Sequence, residues 1–471
     1  MERLVVAKFG GSASGIDGEF VSDIVTRIKE LKKGSKVIAV FSAPLTMHDG
    51  KRKSLTDLAL HMGKMAEEGN SPDISPIRKS YEKILGAVSD SLRPECQKIL
   101  DSFLDKAMQV FNDAKAKGSF ANETRSRVLA FSGEILMSYV MSYILKSNGI
   151  KSDVVSYDIW PIITDNNIES TNFIASESLA RLEPLEALLQ KNEVVSIGGF
   201  IGKTVDDTET TYERGGSDRS AADLGILFHK KYDTMIDFEK DSAVVSADPR
   251  VVTEELDDIT QLSYNEARLA GMFGMKILDP IAIKEILENG VDMPIIITNM
   301  KNPKKTTMIT RKTNVQNGHP LKIVTGKKNC AILKIESVAA QSLLDSLEKQ
   351  KRYSEFVILS PFTKDDIEFT RILFLDADYV KRNERYILGF DSLATIQYNR
   401  GVITLIGDQM WRVNQIVSKA SSKIGSVGLN ILNMDAQEET SRVIIVVDDS
   451  GENIETAIRA VHSERSKITF T

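Results

Sequence analysis

Cysteine is scarce: Cys96 and Cys330 are the only two in 471 residues, and they lie far apart in the chain. A disulfide framework and a four-cysteine zinc site are both excluded. The five histidines, His48, His61, His229, His319 and His462, follow no ligand spacing, so none is read as a metal ligand or base. A basic excess is missing too. The 60 Lys and Arg stand against 66 Asp and Glu, a net charge of -6 that argues against a broad nucleic-acid surface. No run approaches the ~18 consecutive apolar residues of a membrane span. The opening MERLVVAKFGG reads as a strand entering a glycine turn and lacks the layout of a cleaved signal. The expectation is a cytoplasmic chain with neither nucleic-acid nor membrane partners.

What is present is a globular balance, 42% apolar and 27% charged, with enough chain for two or three domains of ~100–200 residues each. Over the first 300 residues, Val- and Ile-rich runs at 4–7, 37–42, 153–156, 194–197, 234–238 and 294–298 suit strands buried on both faces. Helical patterns at 20–31, 55–68, 127–146, 176–190, 219–228, 264–272 and 282–289 alternate with them. That alternation predicts an α/β fold, an open and mainly parallel sheet flanked by helices. Residues 75–125 read as an insertion of two amphipathic helices. The catalytic body is expected at 1–300, and the polar, basic stretch NMKNPKKTTMITRKTNVQNGHPLK marks a linker at 301–322. Beyond it the rhythm changes to two small modules, 323–390 and 391–471. The first has strands at 330–335, 356–359 and 370–374 and a helix at 338–350. The second reads β-β-α-β-β-α, with strands at 393–398, 402–406, 430–434 and 441–447 and helices at 410–424 and 454–461, close to a ferredoxin-like arrangement. The short run 306–310 is expected to join the sheet of these modules.

Three glycine-rich junctions follow buried strands. KFGGSAS, from Lys8, bends tightly enough to aim backbone N–H groups at an anion, and Lys8 can place a point charge on a phosphoryl group. In YERGGSDRSAADLG, Arg214 can grip a carboxylate bidentately, Ser217 and Asp218 start a helix, and Asp218 can orient Lys8 or assist a metal. EKDSAVVSADPRVV carries an Asp248-Pro249 turn followed by Arg250, in a place where ligands sit in open α/β sheets. Read singly, each also fits a plain turn or helix cap. The pattern is neither a P-loop nor G-x-G-x-x-G.

In this order, the motifs resemble the aspartate kinases of the amino acid kinase family. KFGGSAS resembles that family's opening signature, SIGGFIGKTVDDTETTYERGGSD its substrate stretch, SADPRVV its nucleotide loop and KILDP its Lys-x-Leu-His-Pro segment; the last ~150 residues resemble its paired ACT modules. The resemblance implies transfer of the γ-phosphoryl group of ATP to the side-chain carboxylate of L-aspartate. Lys8 would stabilise the phosphoryl and Asp218 would hold Lys8. Arg214 would grip a substrate carboxylate and Glu134, in FSGEILMSYV, would receive the ammonium. Ser42 and Thr56 would line the aspartate pocket, with Ser217 at the helix start. Gly10, Gly11, Ser12, Asp241, Asp248, Arg250 and Lys276 would serve the nucleotide. Mg²⁺ would be held by phosphates, without a protein metal site.

The resemblance further implies feedback by lysine or threonine, with Asn430 in SVGLNILNM as a candidate effector ligand, and a homodimer through the ACT modules. No fused homoserine dehydrogenase is expected in these residues. The sequence departs from the family at Asp279, Ile281 and Val245, which bear on nucleotide recognition, and it inserts PLTMHDGKRKSL after Ala43. A kinase of the same fold for another small acid, or a silent amino-acid sensor, are the alternatives.

Overall fold

The structure, a computed structural model, describes residues 1–213, 215–312, 320–350, 355–437 and 440–468, with the side chains of 349 and 350 outside the description. The chain forms two compact units. Met1–Ala243 with Ile281–Thr310 make the first, and Val244–Pro280 with Arg311–Thr471 make the second.

In the first unit all six expected runs are strands: β1 (Arg3–Phe9), β2 (Lys36–Phe41), β3 (Ser152–Val154), β4 (Val194–Gly198), β5 (Asp233–Lys240) and β6 (Ile295–Asn299). They lie in the order β6-β5-β1-β2-β4-β3, every neighbouring pair parallel. A parallel sheet is covered on both faces, which is why these runs are apolar without alternation. Thr306–Thr310, β7, pairs antiparallel with β6 and so extends this sheet, not the one after it as the sequence suggested. Two expected helices are broken. The 127–146 pattern divides into α3 (Asn122–Ser132) and α4 (Glu134–Ser147) at Gly133, and the 176–190 pattern divides ahead of Pro184. Among the described residues, Asn122–Ser147 is the one stretch long and apolar enough to cross a membrane, but it is 89% buried within the protein. Helices α1 (Val21–Leu31) and α2 (Leu55–Glu67) and the insertion helices Ser75–Leu85 and Arg93–Lys117 complete one large core with α4.

The second unit holds a six-stranded antiparallel sheet. In sheet order it contains Phe356–Lys364, Ile367–Phe374, Ile323–Glu336, Thr395–Ile406, Arg442–Asp448 and Asn433–Ala436. The two central strands are long and serve both modules. Residues 330–334 of one and 395–400 of the other pair beside helix Ser337–Gln350, while residues 323–327 and 402–406 pair beside helix Asn453–His462. A bulge between Lys327 and Ile332 separates the halves, with Asn329 at φ 56°. The runs 393–398 and 402–406 are therefore one strand and not a hairpin, and its first half closes the first module. The 410–424 pattern begins with a 3-10 turn, Met410–Arg412, and becomes helical at Ile416. Each module has its own core, one around Leu333, Leu343 and Phe374, the other around Val324, Leu405 and Ile445.

Candidate active site

Parallel strands deliver their C-terminal ends to one edge of the sheet, and loops leaving that edge bring side chains together. Lys8 is the next-to-last residue of β1, opposite Val40 on β2 and Phe238 on β5. Its Nζ lies 2.7 Å from Asp218 Oδ1, with both side chains over 90% buried. Asp218 sits in the first turn of α5 (Gly216–Phe228), a helix whose every residue is buried. Ser217 precedes it there and is buried as well. Gly10 and Gly11 turn the chain away from β1 into the short helix Gly11–Ser14, with Ser12 half-buried. A Cβ on Gly10 would stand 3.2 Å from Lys8 Nζ, so glycine leaves the ammonium open on that side. An ammonium anchored by one carboxylate under a turn of backbone amides fits a phosphate group.

The turn at Gly133 creates a second feature. By ending one helix and starting α4 it places Glu134 at a helix N-terminus, 5% exposed. Thr56 Oγ1 donates to Glu134 Oε1 at 3.3 Å, and Oε2 is buried without a hydrogen-bond partner. Burial pushes the Glu134 carboxyl up to about 7, against the Thr56 hydroxyl and nearby backbone amides that pull it down. A buried carboxylate with one open oxygen is suited to an ammonium. Gly198, at the end of β4, lies against this turn. A Cβ there would come within 2.8 Å of Ile135 N and 2.9 Å of the Glu134 carbonyl carbon. Ser42 follows β2, its N–H donating to Phe9 O at 3.1 Å, and Gly199 N donates to Phe41 O at 2.8 Å. Backbone contacts thus tie the ends of β1, β2 and β4 to one another, and Lys8, Ser42 and Gly198 stand at those ends.

Arg214 lies outside the described residues. Asp241 is exposed just past β5. Asp248, Arg250 and Lys276 belong to the second unit. There Asp248 accepts from Arg250 N at 2.9 Å and Nε at 3.0 Å, and the guanidinium holds the carboxyl below its usual range. Arg250 and Lys276 are exposed. Asn430 is exposed and precedes the strand Asn433–Ala436, which begins later than expected. It does not line the cavity of about 480 Å³ beside helix Ile416–Ser426, which is walled by Met410, Trp411, Val413, Ile416 and Arg442 among others. Among the described residues, no cluster of three or more His, Cys, Asp or Glu side chains could hold a metal ion.

One residue of the site was missed in the sequence. Lys240, the last of β5, has its Nζ 3.8 Å from Asp218 Oδ2. The strand had been expected to stop at 238. The signal available was alternation: in a strand, residues two apart share a face, so Lys240 follows Phe238, the register partner of Lys8.

The model of the amino acid kinase family matches residues 3–299. The chloroplastic bifunctional aspartokinase/homoserine dehydrogenase 1 of Arabidopsis thaliana is 24% identical over 97% of this chain and 50% of its own length. The chain thus spans about half of that relative. The aspartokinase of Rickettsia felis is 24% identical over 72% of this chain and 83% of its own length. Among solved structures, E. coli aspartokinase III in complex with aspartate and ADP matches with a TM-score of 0.76 and 18% identity, covering 98% of this chain and 99% of that one. The same enzyme in complex with lysine and aspartate matches with a TM-score of 0.63, 18% identity and the same coverage. At such identity these two matches speak for the fold.

Proposed function

The chain belongs to the amino acid kinase family, and on that premise we propose that it is an aspartate kinase. It transfers the γ-phosphoryl group of ATP to the side-chain carboxylate of L-aspartate, giving 4-phospho-L-aspartate and ADP, as a first step toward lysine, threonine and methionine. The observation that carries this reading is the buried Lys8–Asp218 pair under the glycine turn, in the same unit as the open Glu134 carboxyl. The names of the relatives support it, as does the likeness in fold to an enzyme solved with aspartate and ADP.

Both reactants are anions, so the protein's task is to bring them together and neutralise charge as the bond to phosphorus forms. Lys8 draws density from the transferring phosphoryl, and Asp218 fixes the ammonium so that no reorganisation is needed. Glu134, braced by Thr56, receives the substrate's ammonium; Arg214 takes a carboxylate; Ser42 and Ser217 offer hydroxyls between them. The acceptor oxygen attacks the γ-phosphorus while the bridging oxygen leaves with ADP. Aspartate is ionised at neutral pH, so no general base is required. Mg²⁺ would travel with the phosphate oxygens and neutralise part of their charge. Asp241, Asp248, Arg250 and Lys276 serve the nucleotide.

The two C-terminal modules are read as ACT modules that bind an amino acid, lysine or threonine, and join two chains into a homodimer. The structure of a relative in complex with lysine supports lysine as the first effector to try.

Hydroxamate trapping of the acyl phosphate tests the reaction, with aspartate, glutamate and N-acetylglutamate offered in turn and lysine or threonine added. Lys8→Ala should lower turnover with aspartate by roughly 10²–10³-fold, the usual loss for one preorganised charge-stabilising group, with an unchanged melting curve. Undiminished turnover would remove Lys8 from the mechanism, and trapping with another acid alone would overturn the substrate.

A further inference from the structure

We propose that Lys240 is a second phosphate-binding ammonium of this site, in contact with oxygens of the nucleoside triphosphate donor. The proposal rests on the phosphotransferase reading above and adds to it Lys240, which lies in the motif EKDSAVVSADPRVV without a role assigned to it there.

The argument starts from charge. Lys8 and Asp218 form a close pair at 2.7 Å, and together they carry no net charge. A site that must attract a polyanion needs a surplus. Lys240 supplies it, standing 3.8 Å from the other carboxylate oxygen of the same aspartate, so the three groups sum to one positive charge. Position agrees with charge. Lys8 and Phe238 are register partners on adjacent parallel strands, and Lys240 lies two residues further on the same face, one step closer to the edge where ligands enter. Its side chain is 20% exposed against 9% for Lys8, so it is the more open of the two to a bound anion.

The strand end that carries Lys240 is fixed from the opposite face. Arg27 of α1 reaches Asp237 Oδ2 at 3.0 Å and Glu239 Oε1 at 2.6 Å, and Met300 N donates to Lys240 O at 2.9 Å. The backbone on both sides of Lys240 is therefore held while its ammonium faces Asp218. Asp218 becomes a shared counter-ion that spaces two lysines around one place for phosphate, an arrangement in which two cations share the charge of the transferring group.

Calorimetric titration of ADP into the full chain tests this, in wild type and in Lys8→Met, Lys240→Met and Lys240→Arg variants, with adenosine as the phosphate-free probe. Lys240→Met should weaken ADP by roughly 10–100-fold, the range for a lost charged hydrogen bond, and leave adenosine unchanged, while Lys240→Arg recovers part of the loss. If Lys240→Met proves unfolded by its melting curve, Lys240→Gln is read the same way. Wild-type ADP affinity in the folded variant overturns the assignment even if turnover falls, because that pattern belongs to a residue acting through Asp218. It leaves the kinase reading standing. A wild-type chain that binds no ADP overturns the kinase reading, and this assignment with it.

Discussion

Glu134, proposed above as the receiver of the substrate's ammonium, shows what such a residue costs the fold that carries it. Its carboxyl is buried and lifted from 4.5 to about 7. A carboxyl raised on folding contributes stability that is fully present below its unfolded value and is lost as pH rises through the folded one. Wild type should therefore grow less stable between pH 4.5 and 7 on account of this residue, by an amount on the order of 3 kcal/mol for the full rise. Glu134→Gln keeps a partner for Thr56 and removes the titration. It should be more stable than wild type at pH 8.5 by roughly 1–3 kcal/mol, allowing for the amide's own burial, with the gap closing near pH 4.5. Ligand binding runs the other way. An ammonium needs the ionised form, so the apparent KM of wild type for aspartate should climb as pH falls below about 7, and Glu134→Gln should bind aspartate poorly at every pH. Denaturant melts at the two pH values with initial rates across pH 6 to 9 check both halves. A variant less stable than wild type at pH 8.5 would mean that the carboxyl is not strained as described.

Among the elements, the junction of β4 with α4 sets how close Glu134 comes to the strand ends. Gly198 is the hinge of that approach, because any Cβ there runs into the backbone of Glu134 and Ile135 at under 3 Å. Backbone cannot rotate aside as a side chain can, so Gly198→Ala should cost about 1–3 kcal/mol as overpacking does and raise the KM for aspartate more than that for ATP. Equal effects on both substrates would show that the damage is general. The same junction explains what the sequence could and could not show. The six strands announce themselves because a parallel strand buried on both faces is a solid Val and Ile run, and Lys8, Ser217 and Asp218 stand at turns whose glycines are visible. The break at Gly133 is not visible: a glycine inside a helical pattern is tolerated at about 1 kcal/mol, and only the packing of Gly198 and the Tyr81 hydroxyl, which donates to Gly133 O at 2.8 Å, makes it a true end. Lys240 escaped because the apolar run ends at 238 while the hydrogen-bonded strand continues. The strands shared by the two C-terminal modules escaped for a related reason, since the short stretch between 398 and 402 reads as a turn and becomes one continuous strand only when a long partner lies beside it.

At the scale of the molecule, the division between the units does not follow chain order. Residues Val244–Pro280, which hold Asp248, Arg250 and Lys276, fold with Arg311–Thr471. Ala247 and Val252 are buried in the core that surrounds Leu405 and Ile445. Val324 N donates to Ser246 O at 2.9 Å, Ser246 Oγ meets His462 Nε2 at 2.9 Å, and Arg465 pairs with Asp257. Glu266, wholly buried, accepts from Lys322 Nζ at 2.7 Å and from Asp408 N at 2.6 Å. A chain truncated after Thr310 loses every one of these partners. The truncated chain would expose apolar side chains worth about 1.5–3 kcal/mol each when fully buried and would leave the Glu266 carboxylate without its main cation. The six parallel-paired strands of the first unit draw their register from one another, so the far-UV spectrum should keep its strand and helix signals. The segment 244–280, by contrast, should become open to trypsin at Arg250 and Lys276, and ADP affinity should fall by at least about tenfold, or 1.4 kcal/mol. Limited proteolysis with mass mapping, paired with ADP titration, separates the outcomes. A truncated chain that resists cleavage there and binds ADP as the full chain does would show that the segment 244–280 folds without the C-terminal modules, and would overturn the dependence argued from these contacts.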